Sequence, residues 1–536
     1  MTMMKTAIDA PWVSDQGDGT FLNPVLHADY SDPDVIRVGR DYYMTASSFS
    51  HTPGLPILHS HDLVNWTLIQ YALPRLESPR FDRPQHGDGV WAPSIRHHDG
   101  KFWIYYGDPD SGIYMTTAID PAGEWSAPQL VHAGLGLIDP CPFWDDDGQA
   151  YLVHAFAKSR CGIKSKLRVC PMSPDGTRLL AEGAVVFDGT LYHPTIEGPK
   201  IYKRGEWYYI MAPAGGVATG WQTVLRASTP YGPYEDRIVM HQGGTQVNGP
   251  HQGGWVELAS GESWFLHFQD KGAYGRIVHL QPMTWSDDGW PIIGVDVNGD
   301  GIGEPIERMK KPDVGGTYPI AVPAMSDSFD SDQLGLQWQW QANAQDYWYS
   351  LHASQRGEGL LRLFSQPKGG ATIYDAPNLL MQKFPAESFT ASVHLDAKAL
   401  AAGEEAGLVV HGFSHARIGV RRDTDGSVSL IRVEGDEEQE RVTSTLPIDM
   451  QVITLSVTVT TNARCDWSWS VDGVSFERIG HETFKASKSR WVGAKVGLYA
   501  LADIGSNVPT GFADFSHFRM ESASKRLSAV QEDKNL

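Results

Sequence analysis

Short apolar runs broken by glycine and polar turns fill the first 310 residues, and five of them share a phase. A glycine leads into an aromatic-rich run in GRDYYMTAS from Gly39, GKFWIYYG from Gly100, GQAYLVHA from Gly148, GEWYYIMA from Gly205 and GESWFLHF from Gly261. Each reads as a tight turn entering a strand. A second element follows each one: LHSHDLVNWTLI from Leu58, MTTAIDPAGEWSAP from Met115, CPMSPDGTRLL from Cys170, LRASTPYGPYED from Leu225 and LQPMTWSDDGWPI from Leu280. Each of these is a strand with a polar turn. A repeat of roughly 50–60 residues with about four strands is one propeller blade. The pattern predicts a five-bladed β-propeller over residues 22–309, after an N-terminal segment 1–21.

Upstream of the five turns lie SDPDVIRV, WAPSIRHH, IDPCPFWD, IEGPKIYK and HQGGWVEL. The first strand of each propeller blade lines the central axis, so these strand starts point to one shared pocket. The residues at that phase are Asp32, Trp91 or Ala92, Asp139, Glu197 and His251.

The pattern changes after residue 310. KKPDVGGTYPIAVPAMS reads as a linker laid over a surface, residues 310–326. Beyond it, FTASVHLDAKAL, VSLIRVEG and VITLSVTVTTNARCDWSWSVDG alternate with period two at short spacing. That predicts an antiparallel β-sandwich over 327–521, followed by a polar, frayed tail, 522–536. The whole chain is expected to be all-β.

Composition narrows the partners. The net charge is −20 over 536 residues, which repels nucleic acid and anionic membranes. A neutral ligand fits better, and 18 Trp, 20 Tyr and 19 Phe supply faces on which sugars stack. The four cysteines, Cys141, Cys161, Cys170 and Cys465, form no metal-binding spacing. The N-terminus has no apolar core of a signal peptide, and no run of about 18 apolar residues occurs. A cytoplasmic protein is the expectation.

An Asp-Pro dipeptide is most often a turn, and Asp32, Asp108, Asp120 and Asp139 all precede proline. Repeat phase selects Asp32 and Asp139 and leaves the other two on the turn side. Glu197 sits at an apolar strand start, awkward for a charge unless the strand end opens on a pocket. Three carboxylates in one pocket cannot share one environment, and like charges raise at least one pKa. Glycosidases use that arrangement: one acid protonates the leaving oxygen and one carboxylate activates water or attacks the sugar.

The stretch DYSDPDVIRVGRDYYMTASSFSHTPGLPILHSHDLVNW resembles the opening of glycoside hydrolase family 43, the β-xylosidases and α-L-arabinofuranosidases. HGDGVWAPSI, IDPCPFWDDDGQAYL, TIEGPKIYKRGEWYYI and GRIVHLQPMTW match in order, across the whole predicted propeller. The resemblance implies a five-bladed propeller that hydrolyses with inversion, followed by a lectin-like, concanavalin-type jelly roll. It implies Asp32 as general base, Glu197 as general acid and Asp139 as the residue that modulates and orients the acid. Family members usually carry Pro where Ser31 stands and often Ser where Asp34 stands. By the same resemblance Phe49 and Trp91 surround the sugar and Arg276 contacts its hydroxyls. His251 would help hold a calcium ion near the axis through water, although a histidine there also serves as a core residue. The expected substrate is a xylo- or arabino-oligosaccharide cut from its end, and homo-oligomers are common in the family. The rivals are an endo-arabinanase, a fructan-cleaving propeller with different Asp-Pro surroundings, and a silent sugar-binding propeller. The sandwich is expected to pack on the propeller and narrow the pocket with one loop, rather than to bind polysaccharide.

Overall fold

A computed structural model describes residues 8–353, 359–502 and 510–523; most of the predicted polar tail lies outside them. Five four-stranded antiparallel sheets follow one another in chain order. Blade 1 comprises Asp34–Val38, Asp41–Thr45, Gly54–Ser60 and Trp66–Leu73, and blade 2 runs from Trp91–His98 to Gln129–Ala133. Blade 3 spans Leu137–Trp144 to Ala184–Asp188, blade 4 Lys200–Arg204 to Glu235–Met240, and blade 5 His251–Glu257 to Pro291–Ile293. The second strand of a blade is covered on both faces, so Lys101–Asp108 and Trp207–Ala214 are buried along nearly their whole length. This is why the aromatic-rich runs are continuous rather than alternating. The outermost strands are the least covered: Ala184–Asp188 is largely exposed although four of its five residues are apolar.

Among the described residues no strand is exchanged to close the ring. Instead, residues 23–30 lie along the free edge of the third strand of blade 5. Leu26 and Val278 exchange backbone hydrogen bonds, Asn23 clasps the backbone of Leu280, and the Tyr30 amide donates to the Arg276 carbonyl at 3.1 Å. A short strap, Thr20–Leu22 paired with Arg308–Lys310, ties the entry and exit of the propeller together. The segment that closes the ring thus leads directly into Ser31 and Asp32 and sets them beside Arg276.

The linker crosses blade 1. Lys311 Nζ lies 2.7 Å from Asp15 and 2.6 Å from Asp62, and the Ala321 amide donates to Asn65. The C-terminal half forms two stacked eight-stranded sheets around one large apolar core. Tyr274, from a blade 5 loop, is buried in that core and accepts a hydrogen bond from the Ala463 amide at 2.7 Å. Thr52 and Trp340 exchange backbone bonds across the interface, and the Gly493 amide donates to Asp29 at 2.9 Å. Gly493 and Gly275 meet so closely that a Cβ on Gly493 would lie 2.5 Å from the Gly275 nitrogen. That approach delivers the loop 487–493 to the propeller mouth. Among the described residues no helix is long and apolar enough to cross a membrane.

Candidate active site

Each inner strand begins with the same four-residue turn. The five versions are Ser31-Asp32-Pro33-Asp34, Trp91-Ala92-Pro93-Ser94, Ile138-Asp139-Pro140-Cys141, Glu197-Gly198-Pro199-Lys200 and His251-Gln252-Gly253-Gly254. The second residue is left-handed in all five, with φ of 56°, 28°, 56°, 58° and 37°. Non-glycine residues reach that region at a cost and gather where structure must be re-aimed, active sites included. The turn aligns Glu197 and His251 one position earlier than Asp32 and Asp139. Blades 4 and 5 thus differ by one residue from the phase the repeat predicts, and Gln252 rather than His251 reaches the pocket.

The fourth residues form a buried layer beneath. Asp34, Ser94, Cys141 and Lys200 are at most 1% exposed. Asp34 accepts from the Ile95 amide and from Arg96, whose Nη1 lies 2.6 Å away, and Arg96 also donates to Cys141 Sγ. Lys200 Nζ donates to the Pro93 carbonyl at 3.0 Å. Through Arg96 these bonds lock blades 1, 2 and 3 together, and Lys200 ties blade 4 to blade 2, which gives Asp34 a structural task.

One pocket is lined by Asp32, Phe49, Trp91, Ala92, Ile138, Asp139, Glu197, Gln252, Arg276 and Trp491. It brings together every residue named from the sequence except His251, which stands directly behind Glu197. Asp32 is held by three donors: Ser47 Oγ at 2.6 Å, Ser31 Oγ at 2.7 Å and Arg276 Nη1 at 3.2 Å. Arg276 Nη1 also donates to Ser31 Oγ at 2.7 Å, and its guanidinium lies 4.8 Å over Phe268. Ser31 therefore relays Arg276 to Asp32.

Asp139 is the deepest of the three acids, 2% exposed, and accepts from the Gly198 amide at 2.7 Å. Burial pushes its carboxyl well above the ordinary range, and the nearby charges of Glu197 and Asp32 push it further. The Gly198 amide and Lys200 oppose that rise without cancelling it. Glu197 is the accessible acid, with 27% of its side chain exposed, and its Oε1 lies 3.0 Å from His251 Nε2. His251 itself is fully buried, edge-on to Phe268, and its Nδ1 has no partner.

The walls are aromatic. Phe49 and Trp91 meet edge to face at 6.4 Å, and Trp91 meets Trp491 in the same way at 6.0 Å. Trp491 comes from the sandwich loop, in a left-handed conformation with φ 65°. Trp491, Gln252 and the Ser47 hydroxyl were not found from the sequence. Gln252 was legible from the repeat turn once aligned on its second residue; nothing local marks Trp491.

The comparisons agree with this architecture. The family model "Glycosyl hydrolases family 43" matches residues 21–291, and "Beta xylosidase C-terminal Concanavalin A-like domain" matches 326–521. A protein of Xylanibacter ruminicola is 46% identical over 377 residues, covering 70% of this chain and 68% of that one. A β-xylosidase of Formosa agariphila is 32% identical over 91% of this chain and 88% of its own. A non-reducing end α-L-arabinofuranosidase of Bacteroides ovatus is 30% identical over 93% and 94%. The solved structure of a family 43 protein from Bacillus licheniformis has a TM-score of 0.80 at 25% identity, covering 94% of this chain and 100% of its own. The propeller, its shared pocket of three acids and the sandwich docked on it make this chain a glycosidase that belongs to glycosyl hydrolase family 43.

Proposed function

We propose that this chain removes single xylose or arabinofuranose units from the non-reducing ends of hemicellulose-derived oligosaccharides, with inversion. One observation carries the reading: three acids from blades 1, 3 and 4 line a single pocket whose rim is closed by Trp491 of the sandwich. A pocket walled on one side suits a chain end, whereas an endo-acting enzyme needs an open groove. Relatives that align over most of this chain carry both activities in their names.

Asp32 is the general base. Its three donors fix the orientation of the carboxylate, and the water it activates attacks the anomeric carbon. Glu197 is the general acid. It faces the pocket and hands its proton to the departing oxygen, and His251 fixes the carboxyl from behind. Asp139, whose carboxyl is pushed up by burial and then by the charges of Glu197 and Asp32, stands beside the acid and orients it. Arg276 spends one nitrogen on Ser31 and Asp32 and has further donors for sugar hydroxyls. Phe49 and Trp91 offer faces to the ring. Arg276 and Trp491 also border an adjoining cleft with Phe413, Lys488 and Arg490, which suits the leaving sugar.

The unpartnered Nδ1 of His251 fits the calcium expectation in one respect. Calcium prefers oxygen ligands, so His251 would reach it through a bound water. The ion would supply positive charge on the side of the imidazole away from Glu197. Four unpaired cysteines suit a reducing compartment, so we place the reaction in the cytoplasm. Homo-oligomers are part of the reading as well, and gel filtration with light scattering decides that point.

Side-by-side hydrolysis of nitrophenyl β-D-xyloside and nitrophenyl α-L-arabinofuranoside tests the substrate assignment. Turnover of either or both supports it. Failure on both, with endo-cleavage of linear arabinan, contradicts it.

A further inference from the structure

The second strand of blade 1 begins with Asp41, and the third ends in His59-Ser60, with His61 the next residue. Tyr42 pairs with Ser60 across the ladder, so Asp41 and His61 face each other and His59 lies two residues along on the same side. Both imidazoles converge on one carboxylate oxygen. His59 Nε2 lies 2.8 Å and His61 Nδ1 2.9 Å from Asp41 Oδ1. All three ligand atoms lie within 4.8 Å of one another, and among the described residues this is the one such group of three.

We propose that Asp41, His59 and His61 form a divalent transition-metal site, zinc by preference, that takes no part in the hydrolysis. Two imidazole nitrogens and one carboxylate oxygen are a ligand set zinc accepts, with water in the fourth position. Zinc bonds of roughly 2.0–2.1 Å place tetrahedral ligands a little over 3 Å apart, so the two imidazole contacts to Asp41 need to open by only a few tenths of an ångström. The half-exposed His61 leaves room for the water. The site stands at the opposite end of blade 1 from the pocket. Asp34 pairs with Thr45 at the pocket end and Val38 with Asp41 at the far end, about 13 Å of strand.

The site also touches the linker. The ring of Tyr318 stacks on His61 at 4.8 Å and 19°. A metal that fixes His61 therefore fixes the surface against which the linker lies, and it stabilises the folded chain by binding it in preference to the unfolded one. Coordination needs neutral imidazoles with the proton on the far nitrogen, so acidification weakens it.

The full-length protein, stripped with chelator, should bind Co2+ with the visible absorption of a low-coordinate nitrogen and oxygen site, and Zn2+ should displace it. His59→Ala and His61→Ala should each weaken binding at least tenfold and remove that absorption. Histidine acylation mapped by mass spectrometry gives a second reading that needs no variant: Zn2+ should protect His59 and His61. Variants that bind Co2+ as tightly as the parent, or acylation of both histidines unchanged by Zn2+, would overturn the site.

Discussion

Asp32 and Asp34 stand two residues apart on one strand start, and their partners separate their tasks. Asp32 receives hydroxyl and guanidinium donors and opens on the pocket; Asp34 is sealed against Arg96 in the layer below. Alternation alone puts both on one side, so only the structure distinguishes them physically. Ser31, where the family usually has proline, is one of the three donors to Asp32 and accepts from Arg276. Asp139 carries the clearest electrostatic cost. Its folded-state pKa lies above the unfolded value of 3.8, so the native state binds the extra proton. Its contribution to stability is therefore present below pH 3.8 and is lost as pH rises through the raised pKa, leaving a buried, repelled charge at higher pH. Asp139→Asn should raise the melting temperature near neutrality while lowering kcat. That thermal gain should shrink as pH falls toward 4. A gain independent of pH, measured by calorimetry across that range, would contradict the assignment of the cost to charge.

The element that makes the site is the left-handed turn at each inner strand start. It was partly legible: four of the five turns carry proline at the third position, and the glycine-aromatic turns downstream made the repeat visible. Blades 4 and 5 fall out of phase by one residue because Glu197 and His251 precede the left-handed position, which Gly198 and Gln252 fill. Outer strands gave a weaker signal because their exposure imposes no fixed alternation: Ala184–Asp188 reads Ala-Val-Val-Phe-Asp. Gly198 is the turn's sensitive point. It has φ 58°, and its amide donates to Asp139. Gly198→Ala should destabilise the protein by about 1–2 kcal/mol through the left-handed strain, and should lower activity by disturbing the bond to Asp139. Denaturant unfolding and a nitrophenyl glycoside assay on the same preparation measure the two effects.

The whole molecule is a propeller whose mouth is finished by a second domain. The alternating runs after residue 327 revealed the sandwich, but not where it docks. That depends on Tyr274 entering the sandwich core and on the Gly275–Gly493 approach, contacts between positions some 200 residues apart with no shared motif. Trp491 enters the pocket by that route. Trp491→Ala should raise KM severalfold for oligosaccharides while leaving the melting temperature almost unchanged, because the side chain is 43% exposed and gives up little packing. An unchanged KM would separate the sandwich from substrate binding.

The central claim is that Asp32 and Glu197 hydrolyse a terminal glycoside with inversion. Proton NMR of nitrophenyl β-D-xyloside hydrolysis, recorded before the released sugar mutarotates, tests it most directly. The account predicts α-xylose as the first product; β-xylose appearing first would contradict it.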